Sequence, residues 1–257
     1  MIYYKTEEEI ELIRQSALIL SKAHGEVASL VKEGVSTKAL DKRAEEFIKD
    51  NGAVPSFLNY NGFPFSLCIS TNFTVVHGMP SEYELKDGDV ISVDCGVYYK
   101  GFHSDCAYTH AVGNVTDDVS NLLEVTKESL YKGIEKAIVG SRLGDISFAI
   151  QQLAEQNGYG VVRELVGHGI GKSLHEAPEV ANYGRRGQGI KLQEGLVLAI
   201  EPMVNLGTRQ IVQEDDGWTI NTKDKKQSAH FEHTVVVRKD KAEILTSFEY
   251  IEQAKKQ

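Results

Sequence analysis

Cysteine is scarce: Cys68, Cys95 and Cys106 are the 3 in the 257-residue chain, they cannot all pair, and their spacing fits no zinc-ligand pattern. They read as reduced thiols of a cytoplasmic protein, with Cys95 and Cys106 as small core residues. Long apolar runs are also missing. Leu196 to Ile200 is far too short to span a bilayer, which excludes a membrane helix. Positive charge is in deficit, with 28 Lys and Arg against 37 Asp and Glu for a formal net charge of −9. Without a basic stripe, binding to a phosphate backbone is disfavoured as the main function. Met1 to Glu11 lack the basic and apolar regions of a signal peptide, so the mature chain is expected to begin near here. No Pro-, Ser- or charge-rich linker divides the sequence, which reads as one compact domain over residues 1–257. What remains is ordinary globular composition, 41% hydrophobic and 25% charged. A chain of this length buries roughly 70–75% of its unfolded surface and needs no disulfide to fold.

Thr6-Glu7-Glu8-Glu9 has the form of a capping box ahead of Ile10, Ile13, Ala17 and Leu20, so a helix is expected from about Glu7 to Val31. A second starts at Thr37 and stops at Asn51-Gly52. Strand-like stretches follow at Ser66–His77, Val90–Val97 and Phe102–Val112. The order then recurs. A long helix follows Thr116-Asp117-Asp118, a shorter one ends at Asn157-Gly158, and strands are expected at Tyr159–Gly167, Gly195–Val204 and Ser228–Arg238. Two helices and then several strands, twice over, predict two similar halves in an α+β arrangement. Tyr183–Gly189 and Asn221–Gln227 read as exposed loops.

Asp94 and Asp105 lie in two consecutive apolar strands separated by Tyr98-Tyr99-Lys100-Gly101. A hairpin centred between Tyr99 and Lys100 sets the two aspartates directly opposite each other, with Cβ atoms roughly 4.5–5.5 Å apart. A partly buried carboxylate pair needs a shared proton or a cation. The second half offers His168 in Gly167-His168-Gly169, His175, Glu201 before Pro202, and Glu232 in a late strand. Singly, each is more simply a loop histidine or a strand-end carboxylate. Together, Asp94, Asp105, Glu201 and Glu232 balance the charge of two divalent ions, and neutral His168 completes an oxygen-rich set suited to Mn, Fe or Co. Two such ions about 3.5–4 Å apart can share a bridging water, the nucleophile of a co-catalytic hydrolase.

The segments Val76-His77-Gly78-Met79-Pro80, Ser92-Val93-Asp94-Cys95-Gly96, His103-Ser104-Asp105, Gly167-His168-Gly169-Ile170-Gly171, His175-Glu176-Ala177-Pro178, Ile200-Glu201-Pro202 and Phe231-Glu232-His233-Thr234 resemble type I methionine aminopeptidase, in order and across nearly the whole chain. The resemblance implies the α+β pita-bread fold, two pseudo-symmetric halves around a curved antiparallel sheet. It implies removal of the N-terminal methionine of nascent chains, with a small second residue preferred. Asp94, Asp105, His168, Glu201 and Glu232 are then the ligands of two divalent ions (Co, Mn, Fe or Zn), and Glu201 also shuttles protons for the metal-bound water. His175 faces the scissile carbonyl and His77 the amide beyond it. Phe57, Tyr60, Phe63, Cys68, Leu174 and Trp218 line the methionine pocket, although ordinary core packing would explain Tyr60 and Phe63 alone. A monovalent cation is implied near Asn72, Thr74 and Ser228. The partners implied are nascent peptides and a transient ribosome contact, without nucleic-acid specificity or a membrane, for a cytoplasmic monomer.

This sequence departs from the family pattern at Val76 and Phe57, where cysteine is common, at Leu174, often aromatic, and at His230, commonly glutamine. Two other readings stand beside this one. A prolidase or aminopeptidase P type enzyme normally carries a separate N-terminal domain, for which there is no room before Thr6. A non-catalytic pita-bread binding module would not need all five ligand positions filled.

Overall fold

The computed structural model describes residues 1–256. Helix α1 spans Glu7–Leu30, and its capping box is complete: the Thr6 hydroxyl accepts from the Glu9 N–H and the Glu9 carboxylate from the Thr6 N–H. Its buried face carries Ile10, Ile13, Ala17 and Leu20, the apolar residues whose spacing predicted it. Helix α2, Thr37–Asp50, is capped by the Ser36 hydroxyl and ends at Asn51-Gly52. Helices α3 (Asp117–Ile134) and α4 (Leu143–Gln156) open the second half in the same order. A short α5, Glu249–Ala254, was not expected from the sequence and packs on α1. No helix among the described residues is long and apolar enough to cross a membrane.

Each pair of helices precedes an antiparallel sheet. In the first half, Val90–Tyr99 is the centre, flanked by Leu67–Thr71 and Phe102–Ala111. In the second, the order is Glu243–Ile244, His233–Val236, Val197–Ile200, Gly167–Gly169, Glu176–Val180. One apolar cluster runs through both halves, from Leu20, Ile48 and Val93 to Leu130, Ile150, Leu198 and Phe231.

The halves meet along Phe102–Ala111 and the segment from Ser228 to Val236. Thr234 Oγ1 donates to the Asp105 carbonyl at 2.7 Å and accepts from the Asp105 N–H at 2.9 Å. The Glu232 N–H donates to the Ala107 carbonyl at 2.9 Å. Thr109 Oγ1 donates to the His230 carbonyl at 2.7 Å and accepts from the His230 N–H at 2.9 Å. Threonine hydroxyls thus replace backbone groups at two of three rungs, and these fully buried polar atoms are all satisfied.

The structure corrects several expectations. The hairpin turns on Lys100-Gly101, both at positive φ (49° and 91°), as a two-residue type I′ turn requires. Its register places Asp94 opposite Ala107 and Asp105 opposite Gly96. The two aspartates are therefore diagonal neighbours on one face, roughly 7 Å apart rather than directly opposed. The stretches Ser66–His77, Tyr159–Gly167, Gly195–Val204 and Ser228–Arg238 are each interrupted. In the last two the breaks fall at Glu201-Pro202 and Phe231-Glu232. Asn221–Gln227 is not wholly an exposed loop: Ile220–Thr222 is a strand between Thr74–Val76 and Ile211–Gln213, with Asn221 and Thr222 buried.

Candidate metal centre and pocket

Asp94 and Asp105 reach the site from the same face of the first-half hairpin. His168 reaches it from the short strand Gly167–Gly169, squeezed between two neighbours. A Cβ on Gly167 would lie 2.4 Å from the Ala199 carbonyl oxygen, and one on Gly169 2.4 Å from that of Ala177. Only glycines on both sides of His168 permit that approach. His168 Nδ1 pairs with the Gly169 carbonyl at 2.9 Å, which turns Nε2 toward the carboxylates. Glu201 and Glu232 sit where their strands break, so their side chains are freed from the alternation of a continuous strand. The Asn182 amide steadies that break by donating to the Glu201 carbonyl.

His168 Nε2 lies 3.8 Å from Asp105 Oδ2 and 3.7 Å from Glu201 Oε1. On the other side of Glu201, His230 Nε2 is 3.2 Å from Oε2. Two sets, Asp105–His168–Glu232 and Glu201–His230–Glu232, each bring their ligand atoms within 4.8 Å of one another. Asp94 belongs to neither set but lines the same cavity. No Lys or Arg among the described residues forms an ion pair with these four carboxylates. Asp94 Oδ1 and Glu232 Oε1 are buried without a hydrogen-bond partner.

Burial, reinforced by the neighbouring carboxylates, pushes Asp105 and Glu232 well above the usual carboxylate range. Burial likewise lifts Asp94 to about 7, against the pull of His230. Such shifts measure how poorly the bare protein tolerates this charge, and orphaned oxygens are what a bound cation satisfies. The residues present therefore fit divalent metal ions: oxygen donors in excess, one or two imidazoles and no thiolate within reach.

Above this cluster opens a cavity of about 380 Å³. All six residues expected to form the pocket line it: Phe57, Tyr60, Phe63, Cys68, Leu174 and Trp218. Trp218 packs edge-on against Phe63 at 5.1 Å, so this tryptophan in a polar loop does cover an apolar wall. His175 opens onto the cavity, and the Tyr60 hydroxyl meets its Nδ1 at 2.8 Å. Loss of hydration, with His168 4.3 Å away ring to ring, draws the His175 pKa down to about 4. His77 stands at positive φ (58°) beside Trp218, and burial lowers its pKa. Asn72 and Ser228 lie together, the Ser228 N–H donating to the Asn72 carbonyl at 2.9 Å, and Thr74 follows in the adjoining strand.

Sequence reasoning missed Glu164, Leu165, Val166 and Met203 as lining residues, and did not single out Asn61 within the loop of residues 59–64 that carries Tyr60 and Phe63. Asn61 adjoins Tyr60, and Val166 and Met203 adjoin the segments 167–171 and 200–202, which was the one available signal. His230 was noted without a role.

The pattern of metallopeptidase family M24 matches residues 11–239. A methionine aminopeptidase of Clostridium perfringens is 54% identical over 246 residues, covering 96% of this chain and 99% of that one. Methionine aminopeptidase 1 of Bacillus subtilis is 50% identical with the same coverage, 96% and 99%. The crystal structure of methionine aminopeptidase from Rickettsia prowazekii superposes with a TM-score of 0.95 at 40% identity, covering 96% of this chain and all (100%) of that one. Prolidase from Pyrococcus furiosus gives 0.78 at 25% identity, covering 95% of this chain but 65% of the prolidase. The pita-bread fold expected from the sequence is the fold these neighbours share.

Proposed function

The chain belongs to metallopeptidase family M24, and from that premise we infer that it is a metal-dependent aminopeptidase removing N-terminal methionine from proteins and peptides. The observation that carries this reading is the joining of two features in one cavity: a buried carboxylate–imidazole cluster with unpaired oxygens, and an apolar wall above it. The likeness to prolidase leaves about a third of that chain unmatched, whereas the aminopeptidases match end to end. A binding module without metals would have no use for uncompensated buried carboxylates.

In this proposal Asp94, Asp105, His168, Glu201 and Glu232 hold the divalent ions. Ions bound there supply Lewis acidity toward the scissile carbonyl. Glu201 accepts the proton of the attacking water and passes it to the leaving amine. The Tyr60 hydroxyl lies 2.8 Å from His175 Nδ1; in this proposal it donates there, which leaves the ring proton on Nε2, to be donated to the carbonyl oxygen as negative charge develops. His77 contacts the amide beyond. The thioether of the substrate fits the wall of Phe57, Tyr60, Phe63, Cys68, Leu174 and Trp218, since an unbranched, polarizable chain adapts to aromatic edges and sulfur. Proximity of the His77 and His175 loops favours a small second residue. We extend the proposal to a single catalytic domain over residues 1–257, supported by the continuous core, and to a cytoplasmic monomer meeting nascent chains through transient ribosome contact. Asn72, Thr74 and Ser228 form the proposed monovalent-cation site.

The test is competition among Met-Ala-Ser, Met-Leu and Leu-Ala peptides, run after chelation and again after adding Co, Mn, Fe or Zn. Methionine should be released only with metal, and faster from Met-Ala-Ser than from Met-Leu. Faster release of leucine than of methionine overturns the specificity.

A further inference from the structure

The carboxylate of Glu201 is held between two imidazoles. His168 Nε2 faces Oε1 at 3.7 Å and His230 Nε2 faces Oε2 at 3.2 Å. His230 is 1% exposed, and among the described residues its Nε2 has no well-aligned hydrogen-bond partner, only the 3.2 Å approach to Glu201 Oε2. A buried ring nitrogen is costly to leave unpaired, so its approach to Oε2 is the one interaction that accounts for it. The backbone of His230 is fixed independently of the side chain: the Thr109 hydroxyl spans its N–H and carbonyl, and the Ser92 hydroxyl lies 2.8 Å from Thr109 Oγ1. Glu201, by contrast, lies at a strand break and is steadied there through its backbone carbonyl, not its carboxylate. An acid held only through its backbone thus lies beside a base whose backbone is clamped.

We propose that His230 is a positioning residue for Glu201: it holds Oε2, so that Oε1 stays turned toward His168 and Asp105. The two oxygens of one carboxylate then have separate tasks, one facing the metal cluster and the other anchored. Removing the anchor lets the carboxylate rotate, which misdirects the group assigned to carry the proton and shifts one donor of the cluster while leaving the other four in place. This rests on the aminopeptidase reading above, and the test keeps the two apart.

Wild-type protein, His230→Leu and His230→Gln are each titrated with Co(II), and the d–d absorption of the loaded protein is recorded, a readout that needs no turnover. The expected result is an unchanged number of bound ions in all three, a changed Co(II) spectrum in His230→Leu, and a wild-type-like spectrum in His230→Gln, whose amide can still donate to Oε2. Steady-state cleavage of Met-Ala-Ser should show kcat lowered about 10–100-fold in His230→Leu, the range for groups that orient metal ligands, with KM little changed. His230→Gln should recover most of it. Fewer bound ions in His230→Leu would make His230 a ligand and overturn the proposal. A spectrum identical in all three, an unaltered kcat in His230→Leu, or a His230→Gln as slow as His230→Leu would also overturn it. Failure of the wild-type protein to release methionine with any metal would count against the function instead, and the spectra would still decide the role of His230.

Discussion

Replacing Tyr60 with phenylalanine removes one oxygen atom and leaves the pocket wall intact. That oxygen meets His175 Nδ1 at 2.8 Å, with the two rings 5.3 Å apart. A neutral hydrogen bond of this kind contributes about 1 kcal/mol net. If its whole effect is to keep His175 in the tautomer with the proton on Nε2, kcat should fall about fivefold. His175→Ala removes the donor itself, and the loss of a single oxyanion donor is about 10²–10³-fold in kcat. The decisive quantity is the double variant. Tyr60 acts through His175, so Tyr60→Phe should do nothing further once His175 is alanine, and the coupling should equal the entire single-variant effect. Steady-state kinetics on Met-Ala-Ser for the four proteins, with metal content checked in each, measures this. An equal loss from Tyr60→Phe in both backgrounds would show that the hydroxyl acts elsewhere. A Tyr60→Phe as slow as His175→Ala would mean that the hydroxyl acts on the reacting carbonyl directly and not through His175. A His175→Ala protein depleted of metal would make His175 a ligand.

Asp105→Asn removes one charge from the centre of the cluster and should lower both metal affinity and turnover, while chelation of the wild-type protein should abolish activity and leave far-ultraviolet circular dichroism unchanged; full turnover of the variant at limiting metal would contradict its role. His24 is buried, with Nε2 2.9 Å from the Cys106 carbonyl, and burial lowers its pKa from 6.5 to about 4. Its fold prefers the neutral ring, so that contribution is complete above about pH 6.5 and is lost as pH falls toward 4, at most about 3 kcal/mol. Urea midpoints measured across that window should decline, and less steeply in His24→Gln; parallel curves would show that His24 does not carry the effect.

The helices were the most legible part of the fold because their signals are local: a capping box at Thr6, a hydroxyl cap at Ser36, a stop at Asn51-Gly52. The hairpin register was misread because Lys100 occupies a left-handed conformation that lysine does not advertise, and the actual turn lies one residue later than the sequence suggested. The strand break at Glu201 was marked by Pro202, but nothing local marks the one at Phe231-Glu232, which exists because the Glu232 N–H turns to Ala107 across the seam. The buried strand Ile220–Thr222 looked like a loop because Asn221 is polar, yet Asn221 is paired with Thr74 and Glu214. The site residues were legible as a set before they were legible singly. Their meeting in one cavity depends on strands far apart in sequence, and that is also why the contact between His230 and Glu201 could not be read in advance.

Thr109 holds His230 and Thr234 holds Asp105, each threonine lying four residues after the site-facing residue of its own half. A pairing in which one strand does to its partner what the partner does to it is the self-complementary pattern of two identical subunits related by a two-fold axis. Here a single polypeptide supplies both sides, and so is released from the requirement that they be identical. Asp105 and His230 hold equivalent places in this arrangement, one an acid and the other a base. The clamps depend on backbone and threonine alone, so either place can change its chemistry without disturbing the frame. An asymmetric reaction needs unlike groups at matched positions, and a homodimer cannot provide them on one axis. A fused pair can.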